Sequence, residues 1–130
     1  MPFELKIENN IIHVMLQGRV NSADLERLGD VVEKADAEHE APPDRIIDFS
    51  SAEGIDLPSS ALEALAERRR RASPKSHVKA AIVAPSALPY GLSRMYQTLA
   101  ENPKINLQIF TDRDLALQWL SRGSAIGRIN

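Results

Sequence analysis

The sequence predicts an α/β domain: a mixed, mostly parallel five-stranded sheet packed with four helices, in the order ββαβαβαβα. Three observations predict it. Short apolar, β-branched runs alternate with stretches whose apolar residues recur every three or four positions. All eight prolines fall at the N-terminus or at a boundary between such segments. Strand-helix-strand repeats require right-handed crossovers and parallel neighbours, which leaves the first strand as an antiparallel edge.

Phe3, Leu5 and Ile7 alternate to one side, Glu8-Asn9-Asn10 makes a polar turn, and Ile11 to Leu16 returns, so the chain opens on a β-hairpin that Gly18 ends. Asn21 or Ser22 can cap a helix carrying Leu25, Leu28, Val31, Val32 and Ala35 on one face, and Pro42 and Pro43 stop it. Arg45-Ile46-Ile47-Asp48-Phe49 is a buried strand. The second helix starts near Asp56 or at Ser60-Ala61-Leu62-Glu63, a capping-box pattern, with Leu57, Ala61, Leu62, Leu65 and Ala66 as its stripe. Val78 to Ala84 is the next strand. A third helix follows Pro89, with Leu92, Met95, Tyr96 and Leu99 inward and Asn102-Pro103 closing it. Ile105, Leu107, Ile109 and Phe110 form the last strand, Thr111 or Asp112 caps the last helix, and Ala116, Trp119 and Leu120 anchor it. Residues 1–122 make one domain, and 123–130, which lack periodicity, read as a loosely held tail.

With 130 residues, 43% of them hydrophobic, and a formal charge of -2, the chain fits one globular domain and neither a disordered nor a generally cationic nucleic-acid-binding protein. Zero cysteines exclude disulfides, thiolate metal sites and thiol nucleophiles. No apolar run spans a bilayer, and Met-Pro-Phe-Glu-Leu-Lys lacks a signal-peptide core, so the expected compartment is the cytoplasm. The glycines make neither GxGxxG nor a Walker pattern, and His13, His39 and His77 stand in separate elements without metal-ligand spacing. No catalytic constellation, metal site or cofactor is expected.

Four segments carry a resemblance: Val14-Met15-Leu16-Gln17-Gly18, Ile46-Ile47-Asp48-Phe49-Ser50, Tyr90-Gly91-Leu92-Ser93-Arg94-Met95-Tyr96-Gln97 and Ala116-Leu117-Gln118-Trp119-Leu120. With them, nearly the whole chain resembles the STAS superfamily, particularly the small bacterial SpoIIAA-like proteins. Their relatives include anti-sigma-factor antagonists and, by fold, the CRAL-TRIO lipid-carrier domains. The resemblance implies a non-enzymatic regulatory or protein-interaction module, or alternatively a protein that binds a small apolar or anionic ligand. Regulatory members carry Asp-Ser-Ser-Gly where a kinase phosphorylates a serine. Here the nearest segment is Ile55-Asp56-Leu57-Pro58-Ser59-Ser60, in which Asp56 matches, Leu57 replaces the phosphoacceptor and Ala61 stands near the glycine position. Ser59 and Ser60 are phosphorylation candidates, because a helix N-terminus favours a phosphate, and they are equally ordinary helix-starting residues.

Ligands of parallel sheets bind beyond the carboxyl ends of the strands, which here gathers Ser50-Ser51-Ala52, Pro85-Ser86-Ala87 and Thr111-Asp112. Asp48, Ser50, Ser86, Tyr90 and Arg94 are therefore the ligand-binding candidates, Tyr90 and Arg94 lying one helical turn apart. The plainer alternative pairs Arg94 with Asp48 for structural reasons. Residues 22–40 hold seven acids against two bases, and 68–79 hold six bases and no acid. The run of arginines at 68–71 suits a helix C-terminus, and it could instead meet an acidic partner, an anionic membrane surface, RNA, or the acidic stretch of a second copy. Nearby aromatics for stacking are missing, which argues against nucleic acid. A protein partner of unknown identity, a homo-oligomer and a small ligand all remain compatible with the chain.

Overall fold

The computed structural model describes the backbone of residues 3–129 and the side chains of residues 3–121. The order is β1 (Phe3–Glu8), β2 (Ile11–Asn21), α1 (Ser22–Glu38), β3 (Asp44–Asp56), α2 (Ser59–Arg71), β4 (Val78–Val83), α3 (Ala87–Leu99), β5 (Ile105–Phe110) and α4 (Arg113–Ile129). One five-stranded sheet runs β1-β2-β3-β4-β5, antiparallel between β1 and β2 and parallel elsewhere, as expected. Because every crossover steps in the same direction with the same hand, α1, α2 and α3 share one face of the sheet. The other face is left to α4, whose Ala116 and Leu120 pack on Ile46, Ala81 and Val83.

Asn9 and Asn10 both have positive φ, the conformation a tight hairpin turn demands, so the predicted turn between β1 and β2 forms at those residues. Phe3, Ile12, Val14, Leu16 and Val20 point to the helical face and bury Leu28, Val32 and Ala35 of α1. A capping box starts α1: the Asn21 side chain accepts from the Asp24 amide, and the Asp24 carboxylate accepts from the Asn21 amide, both at 2.9 Å. Leu5 and Ile7 alternate with Phe3 as predicted, yet they lie exposed at the sheet edge beyond the reach of α1.

Several boundaries differ from those read in the sequence. Gly18 does not end β2. It adopts φ +63 beside a shift in register, and the strand continues to Asn21. Ser50-Ser51-Ala52 is not a loop, because this longer β2 gives β3 a partner as far as Asp56, whereas the pairing of β3 with β4 stops at Asp48. Asp56 therefore closes a strand rather than opening a helix, its carboxylate held by Arg19 at 2.8 and 3.1 Å. The α2 helix starts at Ser59, with Pro58 at the cap position and no side-chain cap bond. In α3 Pro89 and Ser93 are buried, followed by Ala100; of the expected inward residues Leu92 and Tyr96 are half-buried, while Met95 and Leu99 face solvent. Periodicity thus gave the helix and part of its inner face, with the face turned away from Met95 and Leu99. The backbone of α4 runs on through most of the 123–130 stretch, whose side chains lie outside the described residues.

Candidate functional site

The expected site at the carboxyl edge of the sheet divides between two faces. Asp48, 1% exposed, points to the α4 side, whereas Tyr90 and Arg94 belong to α3 on the opposite side. Its carboxylate accepts from the Ser50 amide and from Nη1 of Arg113, each at 2.8 Å. Asp48 is thus paired with Arg113, and Arg94 is exposed, which corrects the structural pairing of Arg94 with Asp48. Ser50 is exposed, Tyr90 is half-buried, and Ser86 occupies the cap position of α3 with no side-chain cap bond. The structure brings Asp48 together with Arg113 and His13, and it keeps Arg94 apart from them.

Nη2 of Arg113 lies 2.9 Å from Nδ1 of His13. A guanidinium can only donate, so this contact requires an unprotonated Nδ1 and a neutral ring. Burial, and next the Arg113 charge, hold the His13 imidazole below its ordinary pKa. A group with a depressed folded-state pKa contributes stability that is complete above the unfolded value of about 6.5 and is lost as pH falls through the folded value. The urea midpoint of the wild type should therefore drop on going from about pH 7 to about pH 5, and His13→Gln should remove that part of the drop. Equal pH profiles for the two proteins would contradict the contact.

The two charged stretches meet within one chain. Arg68 of α2 donates to Glu33 and, at 2.5 Å, to Asp30, both on α1, and Lys75 pairs with Glu40 at 3.1 Å. The hydrogen bonds from Arg68 hold the Glu33 carboxyl below its usual range. Arg70 and Arg71 both pair with Glu67 of their own helix. Most of the arginine run is accordingly engaged inside the molecule. Asn102 completes this end of α2, its amide donating to the carbonyls of Arg69 at 2.9 Å and Ala72 at 2.7 Å.

Sequence reasoning missed a cavity of about 1000 Å³ between the sheet and α1, α2 and α3. Its walls include Ile47, Phe49, Ile82 and Leu107 from the strands and Leu65 and Leu92 from the helices, with Arg45, Arg69 and Tyr96 also lining it. The apolar stripes of α2 and α3 gave no sign of it: both helices turn apolar residues inward, yet beside the open layer they fully bury only Leu62, Ala66, Pro89 and Ser93. Among the described residues there is no group of three or more His, Asp or Glu able to hold a metal, and no helix long and apolar enough to cross a membrane.

No family model matches the chain, and no curated protein matches it. Solved structures do. An uncharacterised protein of the DUF3478 family with a SpoIIAA-like fold, from Shewanella loihica PV-4, superposes with a TM-score of 0.58 at 17% identity over 91% of each chain. An anti-sigma factor antagonist from Mycobacterium paratuberculosis superposes with a TM-score of 0.56 at 19% identity over 92% of each chain. Together with the strand order and the placement of the four helices, these superpositions show that the chain has the SpoIIAA-like fold.

Proposed function

We propose that the chain is a non-enzymatic regulatory module that binds a protein partner in the cytoplasm through the outer face of α3. One observation carries this reading. Leu88, Met95 and Leu99 are 55%, 50% and 41% exposed and follow one another at helical spacing, an apolar stripe facing water along α3. The likeness in fold to an anti-sigma factor antagonist supports it. Ser59 and Ser60 suit a switch: both are exposed in the first turn of α2, where no side chain caps the helix and a phosphate would meet the positive dipole end.

The test compares the wild type with the double variant Met95→Glu, Leu99→Glu. Both should melt alike, since neither residue is in the core. Quantitative affinity capture from the source cells should recover at least one protein with the wild type that the variant loses, and Ser59→Glu with Ser60→Glu should change its recovery. Identical captures by wild type and stripe variant would sink the reading. A wild type that sediments as a dimer and a stripe variant that sediments as a monomer would make the partner a second copy.

A further inference from the structure

The cavity under α2 and α3 supports an inference independent of the outer surface. Every arginine that lines it has an acidic partner except one. Arg45 is paired with Asp36, and Arg68 with Asp30 and Glu33. Arg69, in the last turn of α2, has no carboxylate within ion-pair distance among the described residues. Its Nη1 is inaccessible to solvent and makes no hydrogen bond, and its Nε reaches only the Tyr96 hydroxyl, at 3.4 Å. Arg45 adds a second buried donor without a partner, since Asp36 and the Pro43 carbonyl take its Nη1 and Nη2 and leave Nε free. A half-buried cation without an ion-pair partner and unpaired N–H groups at the wall of the cavity favour an anion that meets them.

The cavity itself fixes the rest of the ligand. A volume of about 1000 Å³ is that of a site for an organic molecule rather than for a few waters. Its strand wall offers Ile47, Phe49, Ile82 and Leu107, so what lies beyond the anionic head is hydrocarbon. We propose that the space between the sheet and α1, α2 and α3 binds a single-chain amphiphile with a monoanionic carboxylate head, the head on Arg69 and the alkyl chain along the strand wall. One arginine without an ion-pair partner asks for one negative charge. The Tyr96 hydroxyl beside Arg69 can donate a further hydrogen bond to the same head. This places the charged end against the last turn of α2 rather than at the carboxyl edge of the sheet.

Titration calorimetry of the whole chain with octanoate, decanoate and dodecanoate, with the 1-alkanols of equal length, and with dodecyl phosphate tests each part. The carboxylates should bind at one site, tightening about three- to fourfold per added methylene. Decanoate should bind at least tenfold tighter than decanol. Arg69→Gln should bring decanoate to the level of decanol and leave decanol unchanged, with thermal melting as the control for folding. If that variant does not fold, Tyr96→Phe should still weaken the acid severalfold and spare the alcohol. Ala80→Leu, which adds volume at the strand wall, should weaken acid and alcohol together. No saturable heat, equal affinity for acid and alcohol, or an acid preference that survives Arg69→Gln would overturn the proposal. Dodecyl phosphate binding more tightly than dodecanoate would overturn the carboxylate assignment.

Discussion

Replacing Arg45 by alanine should cost about 3–5 kcal/mol, the largest effect expected of any single polar substitution in this chain. The side chain is 2% exposed and spans from β3 to α1, with Nη2 at 2.5 Å from one Asp36 oxygen and 2.7 Å from the Pro43 carbonyl, and Nη1 at 3.2 Å from the other Asp36 oxygen. Removing it strands a carboxylate that is itself buried. Removing both charges, with Arg45→Met and Asp36→Leu, should recover most of the loss, because desolvating two ions offsets much of their attraction. Urea unfolding followed through Trp119, the single tryptophan, which packs on Phe110 at 5.6 Å between ring centres, reports all three variants. An Arg45→Ala protein within about 1 kcal/mol of wild type would mean that the pair is solvated.

Arg113→Ala should cost about 2–3 kcal/mol by the same logic, discounted because the arginine is partly exposed while Asp48 is not. Asp48 would keep only the Ser50 amide as a donor. Asp48→Asn should be the milder change, about 1–2 kcal/mol, because its side-chain oxygen can still accept from Ser50 and no bare charge is left behind. The order of the two costs is the decisive measurement, and Asp48→Asn proving worse than Arg113→Ala would show that the arginine is not what compensates the buried carboxylate.

The apolar runs made the strands and helices legible, and the uniform crossover hand arranged them, because both depend on short-range pattern and chain chirality. What escaped depends on distant partners. The segment Ser50-Ser51-Ala52-Glu53-Gly54-Ile55-Asp56 has no strand pattern of its own and is extended only because β2 runs beside it. Asp48 stands out in the sequence as a candidate, but its partner lies 65 residues away. That partner did leave a local trace. Arg113 opens α4, where a cation opposes the positive end of the helix dipole, and such a misfit is a sign that the residue serves a contact elsewhere. Arg45 left a similar one, as an arginine at the head of an otherwise apolar buried strand. The cavity was the least visible feature, since an unfilled layer follows from how far helices stand off a sheet.

The strand order, identical to the order along the chain, also bears on how the molecule assembles. No strand has to wait for a segment synthesised long after it, because each pairs with the one made just before. The first hydrophobic cluster, from Phe3 through Leu28 and Val32 to Phe49 and Ala52, is complete once Ala52 has been made. The second needs Ala116 and Leu120, which arrive only with α4. A nascent chain can thus collapse around β1, β2, α1 and β3 and add one strand-helix unit at a time. Until α4 folds back over Ile46, Ala81 and Val83, the opposite side of the growing sheet stays open, and that interval is when the chain is most exposed to aggregation.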